Sequence, residues 1–196
     1  MTHQHPSLSL RTLIGVVFFT ILTSAPGLSQ EGEKKETTTY TATVVATGAS
    51  AGSGSHPITI YIQDYTSDEQ VQDYLDMIAE KNQGLLRSTL EKVSGLGRIA
   101  MSGFVGTELA VIRVHETDQG KLINLVTARN MSFLELYASG RSRDYPYSFL
   151  QILVDEEGKG QGTVILAARF SFDKENNLEI ESYGLQPFQL WNVQRH

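Results

Sequence analysis

Between residues 39 and 196 apolar and polar side chains alternate with a period of two over most of the chain, the signature of strands with one buried face. Tyr40, Ala42, Val44 and Ala46 alternate with Thr39, Thr41, Thr43 and Thr47, and Ile58, Ile60 and Ile62 alternate with Thr59, Tyr61 and Gln63. Residues 108–115 and 121–128 form two further runs joined through Asp118-Gln119-Gly120, a hairpin signal because glycine supplies the positive φ of a tight turn. Residues 147–154, the turn 156–160, and then Val164, Leu166, Ala168, Phe170 and Phe172 in phase predict a long second hairpin. The polar run 173–177 leads to a strand at 178–181. Tyr183-Gly184 and Pro187 turn into a last strand, 188–193, with Phe188 and Leu190 on one side and Trp191 and Val193 on the other.

One stretch changes period. Ser67-Asp68-Glu69-Gln70 is a capping box, and Val71, Tyr74, Leu75 and Ile78 behind it recur at helical spacing. Gln83-Gly84 reads as a break, after which Leu86, Leu90 and Val93 continue a second helix to Gly95. The chain is therefore predicted as α+β with β dominant. An antiparallel meander closes as a barrel or stacks as a sandwich, and a helical hairpin at about 68–94 packs on the sheet.

The first 38 residues do not join this pattern. Arg11, with His3 and His5, precedes the apolar run 13–22, and small residues follow up to Gly27 and Ser29. A basic start, about ten apolar residues and small side chains three and one before a cleavage point describe a secretory signal peptide over 1–29. The run is shorter than the roughly 20 residues a spanning helix needs. Residues 30–38, charged and Thr-rich, read as a flexible lead to a single domain over 39–196. The expectation is an exported protein, periplasmic or secreted, with no membrane span once the signal is removed.

Composition narrows the chemistry. Of 196 residues 40% are apolar and 19% charged, which suits a packed domain rather than a disordered tail. Lys and Arg number 16 against 22 Asp and Glu, a net charge of −6 and the wrong sign for a chain that binds nucleic acid through its phosphates. The absence of Cys excludes Cys-ligated zinc, iron–sulfur clusters, thiol nucleophiles, disulfides and a lipoprotein anchor. No cofactor and no metal is expected.

Several motifs suggest chemistry and lose it in context. Residues 47–54 match the T-G-x-x-x-G-x-G of short-chain dehydrogenases, but a strand rather than a helix N-terminus follows, so no phosphate cradle forms. Within them Gly48-Ala-Ser50-Ala-Gly52 fits a nucleophile elbow, which needs a strand-to-helix turn. Asp173, Glu175, Asn177 and Glu179 alternate like the start of a calcium loop, yet the sixth position is Leu178 and the flanks are strands. Asp155-Glu156-Glu157 runs into Gly158-Lys159-Gly160, which is turn chemistry.

Residues 139–147 carry more promise. Arg141, Arg143, Asp144, Tyr145 and Tyr147, with Arg129 shortly before, combine forked donors with aromatic faces, a set that recognises carboxylates, phosphates or sugars. The same residues also suit an Arg–Asp pair that pins a long connection. His115 lies in phase with Leu109, Val111 and Arg113.

Asp144-Tyr-Pro-Tyr147, Leu153-Val-Asp155 with Gly158-Lys-Gly160-Gln-Gly162, Glu181-Ser-Tyr-Gly184 and the segment from Pro187 to Val193 together resemble a family of exported bacterial proteins of unknown function. The likeness extends upstream through residues 58–65, Ser67-Asp-Glu and Gly97-Arg98. It covers most of the chain after the signal and implies export, but no activity or site residue. Two functions remain. One is a non-catalytic β-domain that binds a small ligand or a partner surface, with an apolar cavity between sheet and hairpin and Arg and Tyr at its rim. The other is a periplasmic hydrolase or lyase that sets His115 or His56 against a carboxylate such as Glu108 or Asp144.

Overall fold

The computed structural model describes residues 36–45, 54–128, 131, 144–183 and 186–196. Its strands are β1 (Thr38–Val45), β2 (Ser55–Ile62), β3 (Gly97–Met101), β4 (Thr107–Glu108), β5 (Val111–Thr117), β6 (Gly120–Thr127), β7 (Tyr147–Val154), β8 (Lys159–Phe172), β9 (Leu178–Ser182) and β10 (Phe188–Arg195). Two helices, α1 (Asp68–Ala79) and α2 (Gln83–Leu90), lie between β2 and β3. The predicted β-dominated α+β class holds. All pairings are antiparallel, in the order β4-β3-β2-β1-β10-β8-β7-β6-β5, with β9 beside β8. The sheet curls into a half-barrel, which resolves the choice between barrel and sandwich. The signal-peptide segment, most of the predicted lead and the glycine-rich motif at 47–53 lie outside the described residues.

The curl brings the two ends of the sheet together at one point. Glu108 pairs with Arg98 on β3, the Leu109 amide donates to the Gly97 carbonyl, and one residue later the Ala110 amide donates to Val126 on β6. The run expected at 108–115 is therefore two strands, β4 and β5, on opposite ends of the sheet. A second stitch joins Thr66 to β5. Its amide donates to the Ile112 carbonyl at 3.0 Å, and its buried hydroxyl accepts from the Ile112 amide at 2.9 Å. A donor and an acceptor of a strand that would otherwise be an edge are thus satisfied.

Alternation gives the sheet two buried faces. The concave face gathers Tyr40, Val44, Ile58, Ile60, Ile99, Ile112, Ile123, Leu125, Leu150, Ile152, Val164 and Leu190 into one core. The convex face of β6, β7 and β8 presents Val126, Tyr147, Phe149, Ile165 and Phe170 to Tyr74, Ile78, Leu86 and Leu90 of the hairpin, a second core. Full burial of each of these helix side chains contributes about 1.5–3 kcal/mol, so the helices hold by this stripe more than by propensity. The Ser67 hydroxyl accepts from the Gln70 amide and the Gln70 side chain from the Ser67 amide, the capping box that the sequence predicts. The expected break at Gln83-Gly84 is instead the start of α2. Asn82 caps it by accepting from the Leu85 amide, and the chain reverses at Lys81, whose φ is 58°. The second helix stops at Leu90 rather than near 94.

Two bulges change the expected faces. Leu166 and Ala167 of β8 together oppose Ser148 of β7, so Val164 and Leu166 point into the concave core while Ala168 and Phe170 point to the helices. The fully buried Ser148 hydroxyl donates to the Leu166 carbonyl at 2.9 Å and satisfies the distorted ladder there. On β10, Trp191 and Asn192 together oppose Gln161, with Asn192 at φ 52°. Val193 is thereby returned to the side of Phe188 and Leu190, and Trp191 is left 55% exposed.

Candidate functional site

A recess lies at the end of the half-barrel where β1 begins and β10 ends. Its volume is about 280 Å³, and Thr38, Tyr40, Tyr65, Ile112, Arg113, Val114, Lys121, Ile123 and Arg195 line it. Strand phase explains the set. Thr38 and Tyr40 on β1, Ile112 and Val114 on β5, and Lys121 and Ile123 on β6 share the concave phase. The bulge at Asn192 puts Arg195 in phase with the buried Val193, and Arg195 faces Tyr40 across the ladder. The core therefore ends in an apolar floor of Ile112 and Ile123, while polar groups occupy the last inward position of each strand.

The charged groups differ in their commitments. Arg113 donates to the Thr66 carbonyl at 2.8 Å and pairs with Asp68, which fixes it across the segment between β2 and α1. Lys121 pairs with Glu116, directly opposite on β5, at 3.0 Å. Arg195 has no carboxylate partner among the described residues. Burial pushes the Tyr40 phenol above its ordinary pKa, and the neighbouring Arg195 guanidinium works against that rise. What the arrangement offers is a concave, partly open recess with cationic and phenolic donors around an apolar floor.

The described residues among those singled out from the sequence lie elsewhere. Arg129, Arg141 and Arg143 fall outside the described residues. Asp144 is exposed ahead of β7. Tyr145 donates to the Glu181 carboxylate on β9 at 3.2 Å and packs on Tyr183, with ring centroids 5.2 Å apart. Burial, and then the bond to Glu181, push its phenol up. Tyr147 is 0% exposed in the second core, 5.3 Å from the Phe170 ring. Its hydroxyl has no hydrogen-bond partner among the described residues, and burial pushes it up to about 12. Tyr145 and Tyr147 are thus two residues apart in sequence but serve different neighbourhoods.

The histidines and carboxylates of the hydrolase reading are distributed over the sheet. His115 sits opposite Leu122, near one end of the β6–β7 ladder, while Asp144 precedes β7 at the other. His56 lies opposite Val44 on β2, and Glu108 opposite Arg98 on β4. Burial, and then Arg113, hold the His115 pKa below its ordinary value, with Asp68 acting in the opposite sense. Leu109 leaves its predicted phase with His115, since the chain changes strands at Ala110 and Leu109 enters the concave core.

A second, smaller recess of about 90 Å³ lies between the hairpin and the sheet, among Val71, Tyr74, Ile78, Val126, Phe149 and Phe170. The acidic turns carry turn chemistry. The Asp173 carboxylate accepts from the Glu175 and Asn177 amides and from the Asn177 side chain, bonds that hold its pKa below the usual carboxylate value. Asp155 accepts in the same way from the Glu157 and Lys159 amides.

Tyr40, Tyr65, Lys121 and Arg195 were not singled out by motif, because they come from four separate segments. The signal that finds them is a charged side chain in the phase of buried ones. Lys121 shares the phase of Ile123 and Leu125, and Arg195 that of Val193. No protein-family model matches the chain, and neither a curated protein nor a solved structure is detectably similar to it.

Proposed function

We propose that this chain is an exported, non-catalytic β-domain that holds a small ligand in the recess at the end of the half-barrel. One observation carries the reading. The concave core stops short of its rim and leaves about 280 Å³ over Ile112 and Ile123, bordered by phenol and cationic groups. Binding sites combine an apolar surface with a few converging polar groups in this way, and the volume suits a ligand of roughly ten non-hydrogen atoms. Export rests on the signal-like pattern of residues 1–29.

The test is ligand-observed NMR of the full chain against a mixture of small fragments, repeated with Thr38→Trp. Thr38 lines the recess at the start of β1, where an indole fills space without entering the core. Fragments that bind the wild type and lose their signal with Thr38→Trp support the reading. Binding that persists in the variant, or no fragment bound by a folded wild type, overturns it.

A further inference from the structure

We infer that the recess takes an anion: a small organic carboxylate or phosphate ester whose charge sits against Arg195 and Lys121 and whose apolar body lies on Ile112, Val114 and Ile123. This rests on the reading of the recess as a ligand site and names the ligand's class.

The sorting of charge carries the inference. The chain has 22 acidic residues against 16 basic, yet the lining contains Arg113, Lys121 and Arg195 and no carboxylate. Asp68 and Glu116 offset two of these charges, so the surplus positive charge at the recess is that of Arg195, which favours an anion over a cationic ligand. The three are not equally available. Arg113 is committed to Thr66 and Asp68. Lys121 is paired with Glu116, but the two side chains are 51% and 72% exposed, and such a pair is worth under about 1 kcal/mol, so a ligand anion can compete for it. Among the described residues the Arg195 guanidinium has no ion-pair partner, and it carries a fork of N–H donors suited to two oxygens of one anion.

The tyrosines add donors. The buried Tyr40 and the half-exposed Tyr65 line the same recess, and a tyrosine can offer an O–H to an acceptor and a ring to an apolar body. A neutral ligand would use the floor and leave the guanidinium to water. An anion uses both.

The experiment titrates the isotope-labelled full chain, in a buffer free of phosphate, with benzoate and with phenyl phosphate. Benzyl alcohol and benzylamine serve as neutral and cationic counterparts of similar size. One or both anions are expected to shift the Thr38, Val114, Ile123 and Arg195 amides saturably and at least about tenfold more tightly than benzyl alcohol. Benzoate alone points to a carboxylate ligand and phenyl phosphate alone to a phosphate ester. Arg195→Gln is expected to weaken the anions about tenfold and leave benzyl alcohol unchanged, with Lys121→Gln giving a smaller loss in the same direction. Benzyl alcohol binding as tightly as the anions, or anions binding Arg195→Gln as they bind the wild type, overturns the anion inference and leaves the ligand-site reading standing. If none of the four probes moves these amides, both fall.

Discussion

Gly162 of β8 offers the sharpest test of how closely β7 and β8 approach. It faces inward between Leu190 on β10 and Ile152 on β7, two bulky core residues that close over a position without a side chain. A methyl group added there would lie 3.1 Å from Ile152 Cα and 3.2 Å from Gln151 C, and nearer still to the Gln151 carbonyl oxygen. Those atoms are backbone of the neighbouring strand and cannot rotate away. Relief requires moving β7 and β8 apart, which loosens ladder bonds worth about 1 kcal/mol each and adds overpacking strain of about 1–3 kcal/mol. The stiffer unfolded chain returns only about 0.4–1 kcal/mol. Gly162→Ala is therefore expected to destabilise by about 3 kcal/mol. Gly84 is the internal control, because it is exposed in the first turn of α2 and an added Cβ meets nothing within 4 Å. Gly84→Ala is expected to stabilise by about 0.5 kcal/mol. Urea unfolding followed by circular dichroism reads both. A Gly162→Ala loss below about 1 kcal/mol would refute the close approach of β7 and β8 at this position.

Two further outcomes follow from the same coordinates and sequence. Tyr147→Phe removes a fully buried hydroxyl without a partner and keeps the ring on Phe170, so stability should stay level or rise by about 1 kcal/mol; a loss of that size in urea unfolding would mean that the hydroxyl is paired. For export, N-terminal sequencing of the protein recovered outside the cytoplasm should begin at Gln30, and an intact Met1 on the bulk of the protein would end that reading.

Much of the fold was legible because the pattern reports a local quantity, the phase of each side chain relative to the sheet. The strands around Tyr40, Ile60, Leu150 and Val164, and the capped helix behind Ser67, emerge from phase and capping alone. The pattern misleads where phase slips. The bulge opposite Ser148 sends Ala168 and Phe170 to the helices, and the bulge at Trp191–Asn192 brings Val193 inside; both are settled by ladder geometry, which a single strand's sequence does not encode. The division at Ala110 was hidden for a different reason, since Glu108 to His115 alternates smoothly although the chain there passes between two ends of the sheet. The recess was the least legible feature. Tyr40 and Arg195 are 155 residues apart and meet only because β1 pairs with β10, so nothing near either position announces the other.

That pairing also governs when the molecule can fold. β10 lies in the middle of the sheet, between β1 and β8, rather than at an edge. The segment from residue 38 to 101 and the segment from 111 to 182 can each begin to form hairpins as they emerge, but the strand that joins them, β10, is synthesised after both. The long loop closure between β1 and β10 thus waits until the strands between them have been made, and long-range pairings of this kind fold slowly. Until Phe188–Arg195 is available, β1 and β8 both present unpaired edges. A chain arrested before that point would be a sticky intermediate rather than a smaller stable domain, and a factor that shields strand edges during synthesis would act at β1 and β8.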